Sequence, residues 1–303
     1  MWSEMYNFGT GGECRGAATA EPATIRGVFD VNLPPPSARS LLLTVVGELM
    51  NPSTEEAWTT ALLRVLGGLG IEEHAGRQLL ARAAAAEWLE RERRGRAVHW
   101  RLAGRGLDLV SNGIRRSNAY LAGPPSWDGR WLLLFVTVPN QLRTTRKRLY
   151  GGLSWLGMGN PLSSVWATPH ADRKDDLSEL VKSLGLEASS LAVIGSVQAT
   201  GMTDREIVRN AWDLTGIAES YELLLAQLED LADPSDEDDV LLTYLRLLNV
   251  QQRLMRRDPF LPELLLPEWI GREGAETIRR RREQWAPIAH ARWAEIVQEC
   301  APD

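Results

Sequence analysis

Residues 70–102 read GIEEHAGRQLLARAAAAEWLERERRGRAVHWRL, and the fold hangs on how this stretch is read. Between residues 71 and 87 the only helix breaker is Gly76, and Ala, Leu, Glu, Arg and Gln dominate. Those residue types lose little rotamer freedom in a helix, so a helix is predicted. Ala75, Leu79, Ala83 and Ala86 recur at helical spacing and are the expected packed face. His74, Arg77, Gln78, Ala81, Arg82 and Ala85 fall on the opposite face. Arg and Gln can make paired hydrogen bonds to guanine and adenine edges, and the two alanines leave room for close approach to a groove. Taken alone, the same helix is also an ordinary surface helix with two arginines.

The next residues alter that balance. Trp88–Arg93 and Val98–Leu102 flank the turn Arg94-Gly95-Arg96 and predict a hairpin. Val98, Trp100 and Leu102 alternate with His99 and Arg101, so the first set is expected inside and the second in water. Arg91, Arg93, Arg94, Arg96 and Arg101 crowd this hairpin, diluted by Glu90 and Glu92. A basic hairpin after such a helix matches a wing that holds phosphates beside a helix that reads bases.

Upstream, Ser37 caps an expected helix through Leu49 with the stripe Leu41, Leu42, Val45, Val46 and Leu49. Residues 57–69 predict a second helix with a short strand at its start, and Trp58, Leu62, Val65, Leu66 and Leu69 as core. Three helices and a hairpin in this order form a winged helix-turn-helix over residues 37–110. Residues 1–36 are rich in Gly, Ala, Thr and Pro and read as a disordered leader. Its Gly9–Gly12 segment lacks the strand and the Lys-Ser/Thr of a phosphate loop.

Downstream, residues 111–126 read as a linker ending at Pro124-Pro125. WLLLFVTVP from Trp131 is a strand-length apolar run. A helix with Arg143, Arg146, Lys147 and Arg148 near its start follows, then the strand SSVWATP, the helix LSELVKSLG and the strand SLAVIGSV. That order is the split βαβ pattern of a ferredoxin-like domain over residues 127–202. Residues 203–303 are expected to be helical, with the three-proline segment DPFLPELLLPEWIG as an ordered loop. The fold class is therefore multi-domain α+β.

Composition narrows the function. A chain of 303 residues holds about two or three domains. No run of eighteen apolar residues exists, the start MWSEMYNFGTGGECRG lacks the pattern of a secretory signal, and a cytoplasmic protein is expected. Cys14 and Cys300 sit at opposite ends, and His74, His99, His170 and His290 show no paired ligand spacing, so no metal site is assigned. Ser154 in GGLSWLG lacks the second glycine of a nucleophile elbow, and Gly157-Met158-Gly159 lacks the third glycine of a dinucleotide loop. No catalytic residue, cofactor or cofactor-binding residue is assigned. The net charge of −6 is unevenly spread. Residues 111–150 hold seven basic residues and one acid, whereas residues 204–303 hold twelve and twenty-one. That polarity suits DNA contacts at one end of the chain.

With SARSLLLTVVGEL, the 70–102 stretch, WLLLFVTVPNQLRTTRKRLYGGLSWLGMGNPLSSVWATPH and DPFLPELLLPEWIG in this order, the chain resembles the PaaX-like transcriptional repressors of phenylacetic acid catabolism. The resemblance runs from about Ser37 to about Trp293. It implies a winged-helix domain, a Cas2-like middle domain, and a helical C-terminal domain for dimerisation and effector response. It also implies a homodimer on a palindromic double-stranded operator, released by phenylacetyl-CoA or another acyl-CoA thioester. Arg77 and Arg82 match the family's recognition-helix arginines, and Arg94 and Arg96 match its wing. Ala83 stands where the family usually has Leu, Glu87 where it has Gly, and Trp100 where Tyr is common. Val136, Thr137 and Val138 occupy the strand end where Cas2 nucleases carry an acid, so a structural domain is expected.

The expected DNA-binding set is His74, Arg77, Gln78, Arg82, Arg93, Arg94 and Arg96. The effector is expected between the middle and C-terminal domains, with Trp155, Trp166, Trp212 and Trp269 available to stack on an aromatic acyl group. Two alternatives remain at this level: a Cas2-like nuclease, or an interaction protein that does not bind DNA and uses its acidic helical end.

Overall fold

The computed structural model describes residues 29–50, 56–123, 126–139, 141–198 and 200–302. Readings that concern residues 1–28, including most of the leader and Cys14, lie outside the described residues. The chain forms two compact units. One contains residues 123–218 and 254–271, and the other contains residues 29–122, 219–253 and 272–302. Packing thus divides the chain differently from the sequential division at residues 110, 126 and 202.

The second unit begins with helix α1 (Ala38–Leu49), where Ser37 Oγ accepts the amide of Ser40 at 3.1 Å. Its predicted stripe is buried at all five positions. Strand β1 (Ala57–Trp58) leads into α2 (Thr59–Gly68), and α3 (Glu73–Ala85) follows a short turn. The hairpin is β2 (Leu89–Arg94) and β3 (Ala97–Leu102), and the sheet order is β1-β3-β2. Gly76 faces α2, where an added Cβ would stand 2.6 Å from Leu63 Cδ2. The buried face of α3 is therefore Gly76, Leu79, Leu80 and Ala83, while Ala75 is exposed and Ala86 half-buried. Leu79 and Ala83 are buried as expected, whereas Gly76, which packs closely on Leu63, and Leu80 complete the face in place of Ala75 and Ala86.

Two more expectations change here. The expected linker is helical from residue 111 to Ala122, within α4 (Gly104–Ala122), and its Pro124-Pro125 lies outside the described residues. Its Tyr120 hydroxyl meets that of Tyr221 at 2.9 Å in the interior. The end of the leader is packed too, with Phe29 and Val31 buried and the Asp30 amide donating to Gln227. The C-terminal part supplies α8 (Leu214–Glu229), α9 (Glu237–Met255) and α10 (Ile270–Glu299). Helix α9 is buried around most of its circumference and touches α1 through polar groups as well as apolar ones. Asn249 Nδ2 donates to Ser40 Oγ at 2.9 Å and to Thr44 Oγ1 at 3.2 Å. Glu48 accepts from the Tyr244 hydroxyl and lies near His290 and Arg282. Burial raises the Glu48 pKa, but the hydrogen bonds from His290 and Tyr244, with Arg282, bring it below its ordinary value.

The first unit has the predicted ferredoxin-like order. Strand β4 (Trp131–Val136), helix α5 (Arg143–Trp155), hairpin β5 (Gly159–Leu162) and β6 (Val165–Thr168), helix α6 (Lys174–Ser183) and β7 (Ser190–Gly195) form a sheet of order β5-β6-β4-β7. All pairings are antiparallel. Leu132, Leu134 and Val136 pack on Leu149, Leu153, Leu177 and Leu180 of the two helices. Trp131 points the other way, into Ile207 and Val208 of α7 (Asp204–Ala211) and Leu261 and Leu265 of the proline-rich loop. Burial on both sides accounts for the apolar run from Trp131 to Leu134, whereas Phe135 is 41% exposed. Trp155, Trp166 and Trp212 belong to these cores, and Trp269 Nε1 donates to Asp258.

Glu87 sits at φ +58°, directly after α3. The Trp88 amide bonds to Ala83 O and the Glu87 amide to Ala84 O, the paired bonds of a left-handed helix stop. A residue with a Cβ is strained there. Glu87→Gly is expected to stabilise the chain by roughly 0.5–1 kcal/mol, raising the midpoint of a denaturant melt. Glu87→Val is expected to lower it.

Candidate nucleic-acid interface

The exposed face of α3 carries His74, Arg77, Gln78, Ala81, Arg82 and Ala85 together. This follows from helical spacing once Leu79, Leu80 and Ala83 are buried. Arg77 donates to Glu73 Oε1 through Nε at 3.0 Å and Nη2 at 2.7 Å. Gln78 Nε2 and His74 Nε2 lie 2.9 Å apart. Arg82 has no ion pair among the described residues. The Arg77–Glu73 pair is exposed and spaced i, i+4, and such pairs are worth about 0.3–0.5 kcal/mol. A bidentate contact to a base is worth about 1–3 kcal/mol, so Glu73 cannot hold Arg77 back.

The wing has two chemically different faces, set by register. Glu90, Glu92 and Arg94 of β2 stand opposite Arg101, His99 and Ala97 of β3. Arg101 pairs with Glu90 at 2.6 Å, and Arg94 pairs with Glu56 at 3.1 Å and Glu92 at 3.2 Å. The other face holds Arg91 and Arg93 opposite Trp100 and Val98. Arg93 Nε reaches only Gly95 O at 3.1 Å, and neither Arg91 nor Arg96 has a partner among the described residues. Gly95, at φ +62°, turns the chain so that Arg96 lies at the tip. Of the predicted wing residues, Arg93 and Arg96 are thus available to an anion. Arg94 is held by Glu56 and Glu92, and Arg91 is an available cation absent from the expected set. Strand alternation was the signal that could have sorted them.

His99 is a correction. It was expected in water, yet it is 4% exposed. Strand β1 pairs with β3 at Trp58↔His99, making β3 the central strand. The ring lies 4.9 Å from that of Trp58, and Nε2 is 3.0 Å from Glu56 Oε2. Burial lowers the His99 pKa, Glu56 opposes that and Arg94 adds to it. Donor atoms of Glu56, Glu92 and His99 lie within 4.8 Å of one another. The Arg94 guanidinium supplies positive charge to both carboxylates of that cluster.

Three family models cover the chain in order: PaaX-like protein at residues 37–106, PaaX protein central Cas2-like domain at 124–208, and PaaX-like protein C-terminal domain at 212–295. The chain belongs to the PaaX family. It is 28% identical over 271 residues to the Transcriptional repressor PaaX of Escherichia coli (strain K12), covering 86% of this chain and 84% of that protein. Its fold is similar to that of the Uncharacterized protein Rv0674 from Mycobacterium tuberculosis, with a TM-score of 0.56 and 24% identity over 86% of this chain and 99% of the other. As a PaaX-family member it is a transcriptional regulator and not an enzyme. None of the described helices is long and apolar enough to cross a membrane.

Folding favours the neutral His99 imidazole. Its stabilising contribution is therefore complete above the unfolded value of 6.5 and is lost as pH falls below it, until His99 protonates in the folded chain. His99→Gln is expected to flatten this acid-side loss when chemical denaturation at about pH 8 is compared with about pH 5.5.

Proposed function

We propose that this PaaX-family regulator binds duplex DNA sequence-specifically as a homodimer, with α3 in the major groove and the hairpin as wing. It acts as a repressor of an aromatic-acid catabolic operon of the phenylacetate type and is released by an acyl-CoA thioester such as phenylacetyl-CoA. The observation that carries the DNA reading is the single exposed α3 face with His74, Arg77, Gln78 and Arg82, held by nothing stronger than local surface pairs. Residues 37–110 form the reading module in this proposal. The helical residues 203–303 serve dimerisation and effector response. Two copies related by a two-fold axis place their α3 helices on half-sites separated by whole helical turns, about 10–10.5 base pairs or multiples.

Within the set, Arg77, Gln78 and Arg82 read base edges, and Arg93 and Arg96, joined by Arg91, hold phosphates. Arg94 contributes less to phosphate binding because two carboxylates already hold it. The test is a gel shift on the promoter DNA upstream of the chain's own gene, across a salt series. Arg77→Ala is expected to lose roughly 1–3 kcal/mol and to relax preference at one base pair of each half-site. Arg96→Ala is expected to weaken all sequences alike and to lower the salt slope by about one. Arg94→Ala is expected to do the same to a smaller extent. Wild-type affinity in both Arg77→Ala and Arg96→Ala overturns the assignment of this face. An unchanged complex on addition of phenylacetyl-CoA overturns the effector.

A further inference from the structure

The winged sheet gathers one histidine and two glutamates that stand far apart in the sequence. Register is the cause. Glu92 lies directly opposite His99 on one side, and Trp58 pairs with His99 on the other. Glu56 is two residues before Trp58, so all three side chains leave the same face of the sheet. One donor atom from each lies within 4.8 Å of the other two. No other three His, Cys, Asp or Glu side chains converge in this way among the described residues. The His99 ring is buried and packed on Trp58, with Nε2 3.0 Å from Glu56 Oε2, so its direction is set by the fold. Glu56 is half-buried and Glu92 exposed, which leaves the cluster open to solvent on one side.

A cationic group of the chain itself already lies among these atoms. Arg94 Nη2 is 3.1 Å from Glu56 Oε2 and 3.2 Å from Glu92 Oε2, so one nitrogen bridges two carboxylates that would otherwise repel. The Arg94 side chain is 46% exposed, and ion pairs at such exposure are weak and easily exchanged. The guanidinium pairs with the two carboxylates and not with His99. A divalent ion in its place would bond to all three side chains.

We propose that Glu56, Glu92 and His99 form a three-ligand site for a divalent transition-metal cation of the zinc type, which displaces Arg94 and frees it for a DNA phosphate. One imidazole and two carboxylates leave a fourth position for water, as in open zinc sites. The imidazole selects against magnesium and calcium, which take oxygen ligands. Metal–ligand bonds of about 2.0–2.2 Å put tetrahedral ligand atoms roughly 3.3 Å apart, a closing that rotation of the two glutamate side chains can supply around the fixed ring. The exchange neutralises both carboxylates and raises the positive charge of the wing. The metal site stands apart from the DNA reading, and only the gain in DNA affinity rests on that reading.

The experiment is isothermal titration of the metal-free full chain with Zn2+, and with Mg2+ as control. Wild type is expected to show a saturable Zn2+ site that Mg2+ does not fill. Glu56→Gln and Glu92→Gln are each expected to weaken it about tenfold or more. Arg94→Ala removes the competing cation and is expected to tighten it. Thermal melts establish that the variants fold. No Zn2+ site in wild type, or wild-type Zn2+ affinity in both glutamine variants, overturns the proposal. The second readout is the gel shift with and without Zn2+. Wild type is expected to bind DNA more tightly with Zn2+ and with a salt slope steeper by about one, and Arg94→Ala to gain less. Zn2+ binding with no change on DNA overturns the release of Arg94. A chain that binds no DNA under either condition sinks the DNA reading, and the titration alone then decides the metal site.

Discussion

Helix α9 must be enclosed, and the second unit is built around that need. Tyr244, Leu245, Leu247, Leu248, Val250 and Leu254 of this helix are all buried, together with the polar Thr243, Asn249 and Gln251. A helix apolar on so many sides cannot sit at a surface. Its buried amides need partners as well, because an unsatisfied buried polar group costs about 1–3 kcal/mol. Ser40 and Thr44 of α1 accept from Asn249 Nδ2, whose Oδ1 has no hydrogen-bond partner among the described residues, and Ser117 of α4 accepts from Gln251 at 2.8 Å and from Arg282 of α10 at 2.9 Å. Helix α3 and the hairpin are therefore not carried on a free module: α1 and α4 are hydrogen-bonded to α9 and α10.

On that scaffold, glutamates compete for the arginines of α3 and the hairpin. The stretch from Glu72 to Arg101 carries five glutamates beside seven arginines. Register and helical spacing decide which of the arginines are neutralised. A cross-strand pair takes Arg101, Glu56 and the same-strand Glu92 take Arg94, a weak i, i+4 pair takes Arg77, and Arg82, Arg91 and Arg96 stay without partners among the described residues. A mixed surface of this kind keeps the isolated protein from behaving as a simple polycation. It leaves cations where a groove and two phosphate strands would meet them.

Much of this was legible from residues alone. Ser37 as cap, the α1 stripe, the hairpin at Gly95 and the order of the ferredoxin-like unit all express local chemistry: capping, period and turn geometry. What was misread has a tertiary cause in each case. His99 looked like a solvated strand residue until β1 covered its edge of β3. The segment 111–126, ending at Pro124-Pro125, read as a linker, yet α4 runs through it to Ala122 with Val110 and Tyr120 buried. Four tryptophans looked available for a ligand, and the structure uses three in cores and ties the fourth to Asp258.

The sequence by itself determined the elements, the two sheet patterns and the face of α3 on which Arg77, Gln78 and Arg82 stand, since these depend on periods of two and 3.6 residues. Only the tertiary structure decided how the segments divide into two units and which wing arginines keep a free charge. Those outcomes depend on which distant residues come within about 4 Å of one another, and no local period encodes that distance.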